Sequence, residues 1–324
     1  MKLVQLRLPD GSRGVAADGV LVNGARSVRE LAGDAIARGQ TLAEAVAAAG
    51  SGETVDLRAA LAEGRVLPPV DHDDPAHLLL TGTGLTHLGS AEERDRMHAK
   101  LADTDALTDS MKMFKLGLEG GRPAPGETGV APEWFYKGDG SMLAAPEAPL
   151  VSPAFALDGG DEIEIAALYL IGPDGTPHRL GFALANEFSD HVTEQQNYLY
   201  LAHSKLRPSA IGPELLTGGL PDTVSGTARI VRGGETIWEK GFLSGESNMS
   251  HSLANMEAHH FKYPLFRRPG DLHVHYLGAA ALSFAQGIQV QPGDRFEIEA
   301  DAFDLPLRNA MAAGMGETVA VKPL

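Results

Sequence analysis

The sequence predicts an α+β protein, with a mostly antiparallel β core in residues 71–324 behind a small α/β domain in residues 1–70. Three observations carry this expectation. From residue 133 onward, short strand-like runs alternate with turns such as Gly172-Pro173-Asp174-Gly175, Arg232-Gly233-Gly234 and Gln291-Pro292-Gly293-Asp294. The regular strand–helix alternation of a doubly wound sheet or a (β/α) barrel is missing. No internal repeat interrupts the pattern.

Each element follows from local signals. Residues 1–8 alternate apolar and polar side chains like a strand, and Pro9-Asp10-Gly11 turns the chain toward a second strand near Gly19-Val20-Leu21-Val22. Ser27 with Glu30, and Thr41 with Glu44, have the spacing of capping boxes, so helices are expected after each. Residues 66–80 read as a linker, with Pro68-Pro69 leading into a core strand at His77-Leu78-Leu79-Leu80. Residues 90–116 are charged and amphipathic, which predicts a helix, and the Gly/Pro-rich segment 117–132 predicts a loop. One further helix is expected near residues 250–262.

Composition bounds the function. A net charge of −16, with Arg267-Arg268 as the only evident basic doublet, argues against a nucleic-acid partner. The absence of cysteine excludes thiolate metal sites, disulfides and a cysteine nucleophile. No run approaches the roughly 20 apolar residues of a membrane span, and residues 1–8 lack the apolar region of a signal peptide. A soluble, cytoplasmic protein is the expectation.

The most informative pattern is acidic: Asp161-Glu162-Ile163-Glu164-Ile165-Ala166, then Asn186-Glu187-Phe188-Ser189-Asp190 after a second strand-like run. Residues i and i+2 of a strand share a face, so Glu162 and Glu164 stand side by side. Two such carboxylates repel each other unless a cation or solvent screens them. A hard divalent cation prefers oxygen ligands, and Glu187 offers a third carboxylate.

In order along the chain, Thr81-Gly82-Thr83-Gly84-Leu85, Pro132-Glu133-Trp134-Phe135-Tyr136-Lys137, Asp161 to Ala166, Gly181 to Ser189, Ser204-Lys205, Gly212-Pro213 and Pro292-Gly293-Asp294 form a set that resembles the fumarylacetoacetate hydrolase superfamily over residues 76–310. Gly84 to Ser90 and residues 186–205 look closest to its GguC-like branch, associated with sugar-acid catabolism. The resemblance implies a β-sandwich roll and a Mg²⁺ (or Mn²⁺) ion held by Glu162, Glu164 and Glu187. The last stands where the superfamily usually has Asp, so its extra methylene alters its reach. It also implies Lys137 as electrostatic support for substrate, Lys205 as a second active-site lysine, Tyr198 and Ser204 as pocket residues, and a homodimer. Hydrolases of the superfamily carry a His-x-x-Glu pair that activates water. Here Ser90 falls at the His position and Glu93 keeps the Glu. Serine alone is no general base near neutral pH. This disfavours carbon–carbon hydrolysis and leaves Glu93, Lys205 and His87 as acid–base groups for an elimination.

Other residues attract attention for weaker reasons. His259 and His260 are neighbours on the expected helix, about 100° apart, and are expected at a surface or interface. His273-Val274-His275 has the strand geometry of a metal pair, His203 is a possible pocket residue beside Ser204-Lys205, and the glycines of Gly82-Thr83-Gly84 are expected to permit a turn at a strand end. Gly278 to Ser283 falls where the superfamily tends to hold the substrate carboxylate with a threonine, so that contact stays unassigned.

The expected reaction is Mg²⁺-dependent dehydration of a 2-keto-3-deoxy sugar acid, such as 2-keto-3-deoxy-L-arabonate to 2-oxoglutarate semialdehyde, through a metal-stabilised enolate. A hydrolase of 2,4-diketo or acylpyruvate-type acids and a non-catalytic sugar-acid-binding protein are the alternatives. Glu93→Gln should slow turnover about 10²-fold or more while metal affinity stays unchanged. Full activity in steady-state assays of that variant would remove Glu93 from the mechanism.

Overall fold

The computed structural model describes residues 1–89, 107–316 and 318–324. Its spine is a twelve-stranded sheet. From one edge the order runs Ser51–Thr54, Val20–Val22, Arg13–Ala17, Lys2–Arg7, Leu215–Leu216, Pro177–Asn186, Ile163–Ile171, Leu272–Tyr276, Leu78–Gly84 and Glu133–Asp139. Short strands Ser209–Ile211 and Leu143–Ala144 attach beside this path. A second, five-stranded sheet holds Glu235–Ser244, Val224–Arg232, Arg295–Ala300, Leu307–Ala313 and Leu150–Ser152. Most pairings are antiparallel, as expected; the pairing of Leu272–Tyr276 with Leu78–Gly84 is parallel. Because Lys2–Arg7 pairs with Leu215–Leu216, residues 1–70 and the remainder of the chain share one sheet.

Period-two alternation places the core. Ile163, Ile165, Phe182 and Leu184 pack with Ala228, Ile230, Phe296 and Ile298 of the smaller sheet. On the opposite face, Ala166, Leu168, Leu170 and Val274 pack with Val28, Leu31 and Ala35 of the helix Val28–Arg38. The strand Ile163–Ile171 is therefore covered on both faces, and this accounts for its nearly unbroken apolar sequence. Each buried Val, Leu, Ile or Phe side chain among them stabilises the fold by about 1.5–3 kcal/mol. Among the described residues, no helix is long and apolar enough to cross a membrane.

The local signals are read well at helix starts and less well elsewhere. Ser27 accepts from Glu30 N–H, and Thr41 and Glu44 form a full capping box. The later helix spans Leu253–Phe261. The expected helix over 90–116 is present from Asp109 but continues to Gly120, through the glycine expected to end it; residues 90–106 lie outside the described residues. Gly117 is a packing glycine: a Cβ there would lie 2.7 Å from His251 Nε2. Gly82 likewise sits inside its strand, where a Cβ would lie 2.4 Å from Phe135 Cζ, so it admits that ring instead of making a turn.

His260 also departs from expectation, since tertiary packing and not its helix decides its exposure. It is buried, with Nε2 3.1 Å from His273 Nδ1, and its ring stacks on Phe266 at 4.8 Å. His275 Nδ1 pairs with Thr81 Oγ1 at 2.9 Å. Burial holds all three imidazoles neutral, His260 near 4, His273 near 3 with the charge of His260 and Arg268 adding to the effect, and His275 well below its ordinary value. Their folded-state values lie below the ordinary 6.5, so the unfolded chain binds protons first on acidification. Stability is therefore complete above about pH 6.5 and is lost as pH falls toward 4, by up to about 1.4 kcal/mol per pH unit for each imidazole. Melting temperatures between pH 7 and 5 should fall steeply in the wild type and less steeply in His260→Phe.

Candidate metal and active site

The acidic group is built by the hairpin of Ile163–Ile171 and Pro177–Asn186. Its register pairs Glu164 with Ala185 and Ile163 with Asn186. Continued by the Glu187 N–H donating to Glu162 O at 2.9 Å, that register sets Glu187 across from Glu162. Opposed residues of an antiparallel pair share a face, so all three glutamates point the same way. Oxygens of the three carboxylates lie within 4.8 Å of one another, and all three residues are buried.

Two lysines from distant segments enter this group. Lys137, on the strand Glu133–Asp139, places Nζ 2.7 Å from Glu187 Oε1 and donates to Phe188 O at 2.6 Å. Lys205, at the end of the helix Leu201–Lys205, donates to Glu162 Oε1 at 2.6 Å, Glu187 Oε2 at 2.7 Å and Ser189 Oγ at 3.1 Å. Its ammonium also lies 4.9 Å over the Phe135 ring, the ring admitted by Gly82. Neither lysine is solvent-exposed. Desolvating such ions costs several kcal/mol each, which only close pairing offsets.

Glu164 has the least protein compensation. It accepts the Gly278 N–H at 2.8 Å, and burial, then the charges of Glu187 and Glu162, push its carboxyl well above the usual range. Gly278 has φ +105°, and a Cβ there would meet Thr86 Oγ1 at 2.0 Å, so glycine is required for this N–H to face Glu164. Burial raises Glu187 to about 7 against the pull of Lys137 and Lys205, and burial lowers the Lys137 ammonium. Hard oxygen donors, mutual closeness and an under-compensated buried carboxylate fit a divalent cation held by Glu162, Glu164 and Glu187.

The structure also brings in residues that were not anticipated. His191 Nε2 lies 3.1 Å from Glu162 Oε1 and its Nδ1 3.3 Å from Asp158 Oδ2. Burial opposes its charged form, but hydrogen bonds to Asp158 and Glu162 raise it to about 10. Twenty-nine residues separate His191 from Glu162, and no local periodicity encodes that contact. The Asp190 N-cap, whose side chain accepts from Thr193 N–H, is the one sequence signal that could have marked the helix that carries it.

The other expected site residues are dispersed. Tyr198 is half-buried and donates to Glu133 Oε2 at 2.7 Å. Ser204 is buried and donates to Leu201 O at 2.8 Å, within its own helix. His87 is buried, with Nε2 2.8 Å from Ser244 Oγ, and burial lowers it to about 4. His203 is exposed, with its ring edge-on to Tyr200. Ser90 and Glu93 lie outside the described residues.

This architecture is the fumarylacetoacetate hydrolase-like fold implied by the sequence motifs. The chain is similar to a 2-keto-3-deoxy-D-arabinonate dehydratase, with TM-score 0.72 and 17% identity over 98% of this chain and 100% of that one. A structure of 2-keto-3-deoxy-D-arabinonate dehydratase complexed with magnesium and 2,5-dioxopentanoate gives TM-score 0.71 and 16% identity over the same shares, 98% and 100%. A 5-carboxymethyl-2-hydroxymuconate delta-isomerase from Mycobacterium smegmatis gives TM-score 0.56 and 16% identity, covering 98% of this chain and 100% of that one. No family model matches the sequence, and no curated protein matches it. The likeness establishes the fold, and these neighbours are enzymes.

Glu164→Gln should reduce Mg²⁺ affinity by more than the roughly 10–100-fold that loss of an outer partner produces. It should leave the melting temperature unchanged or raised, because Gln keeps an oxygen to accept the Gly278 N–H and cannot take on the poorly compensated charge. Calorimetric titration with Mg²⁺ checks the first outcome and thermal unfolding the second; unchanged affinity would reject the ligand assignment.

Proposed function

We propose that this chain is a Mg²⁺-dependent lyase that removes water from a 2-keto-3-deoxy sugar acid, a five-carbon acid such as 2-keto-3-deoxy-L-arabonate giving 2-oxoglutarate semialdehyde. The observation that carries this reading is the union of three carboxylates and two lysines at one buried place, in a fold shared with a dehydratase of such an acid. A divalent ion bound by Glu162, Glu164 and Glu187 would supply Lewis-acid stabilisation of charge developing on the keto oxygen.

The chain's own residues supply the rest. Lys137 and Lys205 set two ammonium groups at the carboxylates, where they balance a substrate anion as its charge grows. Loss of water needs a base for the C3 proton and an acid for the C4 hydroxyl. Glu93 is the first candidate for this acid–base work and Lys205 the second candidate, with neither tied to one of the two proton transfers. For the five-carbon acid, a further proton shift gives the aldehyde. Burial keeps His87 a neutral imidazole at pH 7, with Nε2 paired to Ser244 Oγ at 2.8 Å and Nδ1 to Thr86 Oγ1 at 3.2 Å.

Incubation with 2-keto-3-deoxy-L-arabonate, its D isomer and an acylpyruvate, with and without EDTA, tests the reading. Mass analysis should find one water lost from a sugar acid, only without EDTA. Cleavage of the acylpyruvate would replace the lyase reading by the hydrolase one. Lys205→Met should reduce kcat about 10²-fold or more; wild-type kcat in that variant would remove Lys205 from the reaction.

A further inference from the structure

We infer that Asp158 and His191 form a positioning relay that fixes the Glu162 carboxylate for metal binding; this rests on the metal reading above. The imidazole bridges two carboxylates, with Nε2 3.1 Å from Glu162 Oε1 and Nδ1 3.3 Å from Asp158 Oδ2. Both nitrogens are thereby engaged, so the ring orientation is set from both ends.

The ring has a built seat. It stacks on Phe284 with centroids 4.9 Å apart and planes 20° apart. On another side lies Gly160, where a Cβ would come within 2.5 Å of Nδ1; any other residue at 160 would displace the imidazole. His191 opens the helix His191–Gln196, whose N-cap Asp190 accepts from Thr193 N–H at 2.8 Å. Asp190 is itself held by Arg207 Nη2 at 2.8 Å and by Leu157 N–H at 2.9 Å. Backbone, ring plane and both nitrogens of His191 are thus fixed independently.

The consequence falls on Glu162. Its Oε1 takes hydrogen bonds from His191 and, at 2.6 Å, from Lys205. Two donors from separate segments stop the carboxylate rotating about its terminal torsion, which is otherwise broad and soft. The Glu162 backbone is already held, its carbonyl by Glu187 N–H at 2.9 Å and its N–H by Asn186 Oδ1 at 3.3 Å, so the relay adds the constraint on the side chain. A merely structural His191 would lower stability alike with and without metal.

Mn²⁺ binding, measured by calorimetry and by the EPR spectrum of the bound ion, tests this in the full chain. His191→Phe keeps the stack on Phe284 and loses both bonds; it should weaken Mn²⁺ binding about 10–100-fold and broaden the bound-ion spectrum. His191→Gln keeps one donor toward Glu162 and should recover part of the loss. Asp158→Asn, at a side chain 11% exposed, should weaken binding severalfold and decides the matter if the His191 variants do not fold. Wild-type Mn²⁺ affinity in the folded variants would overturn the relay alone. Absence of Mn²⁺ binding by the wild type would overturn the metal reading and the relay with it.

Discussion

Everything at this site depends on three carboxylates sharing one face of a buried hairpin. Opposed like charges in a low-dielectric interior are among the costliest arrangements a fold can hold. The register that sets Glu187 across from Glu162, with Glu164 two residues on, cannot slip by one residue without turning all of them and the apolar set to the wrong face. The twelve-stranded sheet, covered on both sides where the hairpin lies, enforces that register.

The compensation comes from elsewhere in the chain. Lys137 arrives from the sheet edge, Lys205 from a short helix after the hairpin, and His191 from the helix between. Glycines make these approaches possible. Gly82 gives Phe135 room beneath the Lys205 ammonium, and Gly278 turns its N–H toward Glu164. The balance is uneven: Glu162 and Glu187 each meet an ammonium, while Glu164 receives a backbone N–H and two repelling neighbours. That unevenness is what makes the group read as a cation site more than as a closed salt-bridge network.

The histidines show how the same residue type is used in opposite ways. His191 sits between two carboxylates, and its charged form is favoured there despite burial. His260, His273 and His275 sit among aromatic rings and one another, where burial keeps them neutral. What differs is the partner across from each nitrogen, and only the packed structure supplies that partner.

The sequence by itself determined the α+β class, the turn-punctuated antiparallel core, the helix caps at Ser27 and Thr41, and the acidic E-x-E pattern. These are local properties: period-two alternation, capping spacings and glycine–proline punctuation act over a few residues, and the chain carries them openly. Motif order also indicated the shared architecture. The tertiary structure alone decided which face Glu187 joins, that Gly82 and Gly117 are packing glycines, that His260 is buried, and that His191 reaches Glu162. Each of these depends on residues brought together across tens of positions by register and layer packing, and no spacing within a segment encodes such contacts.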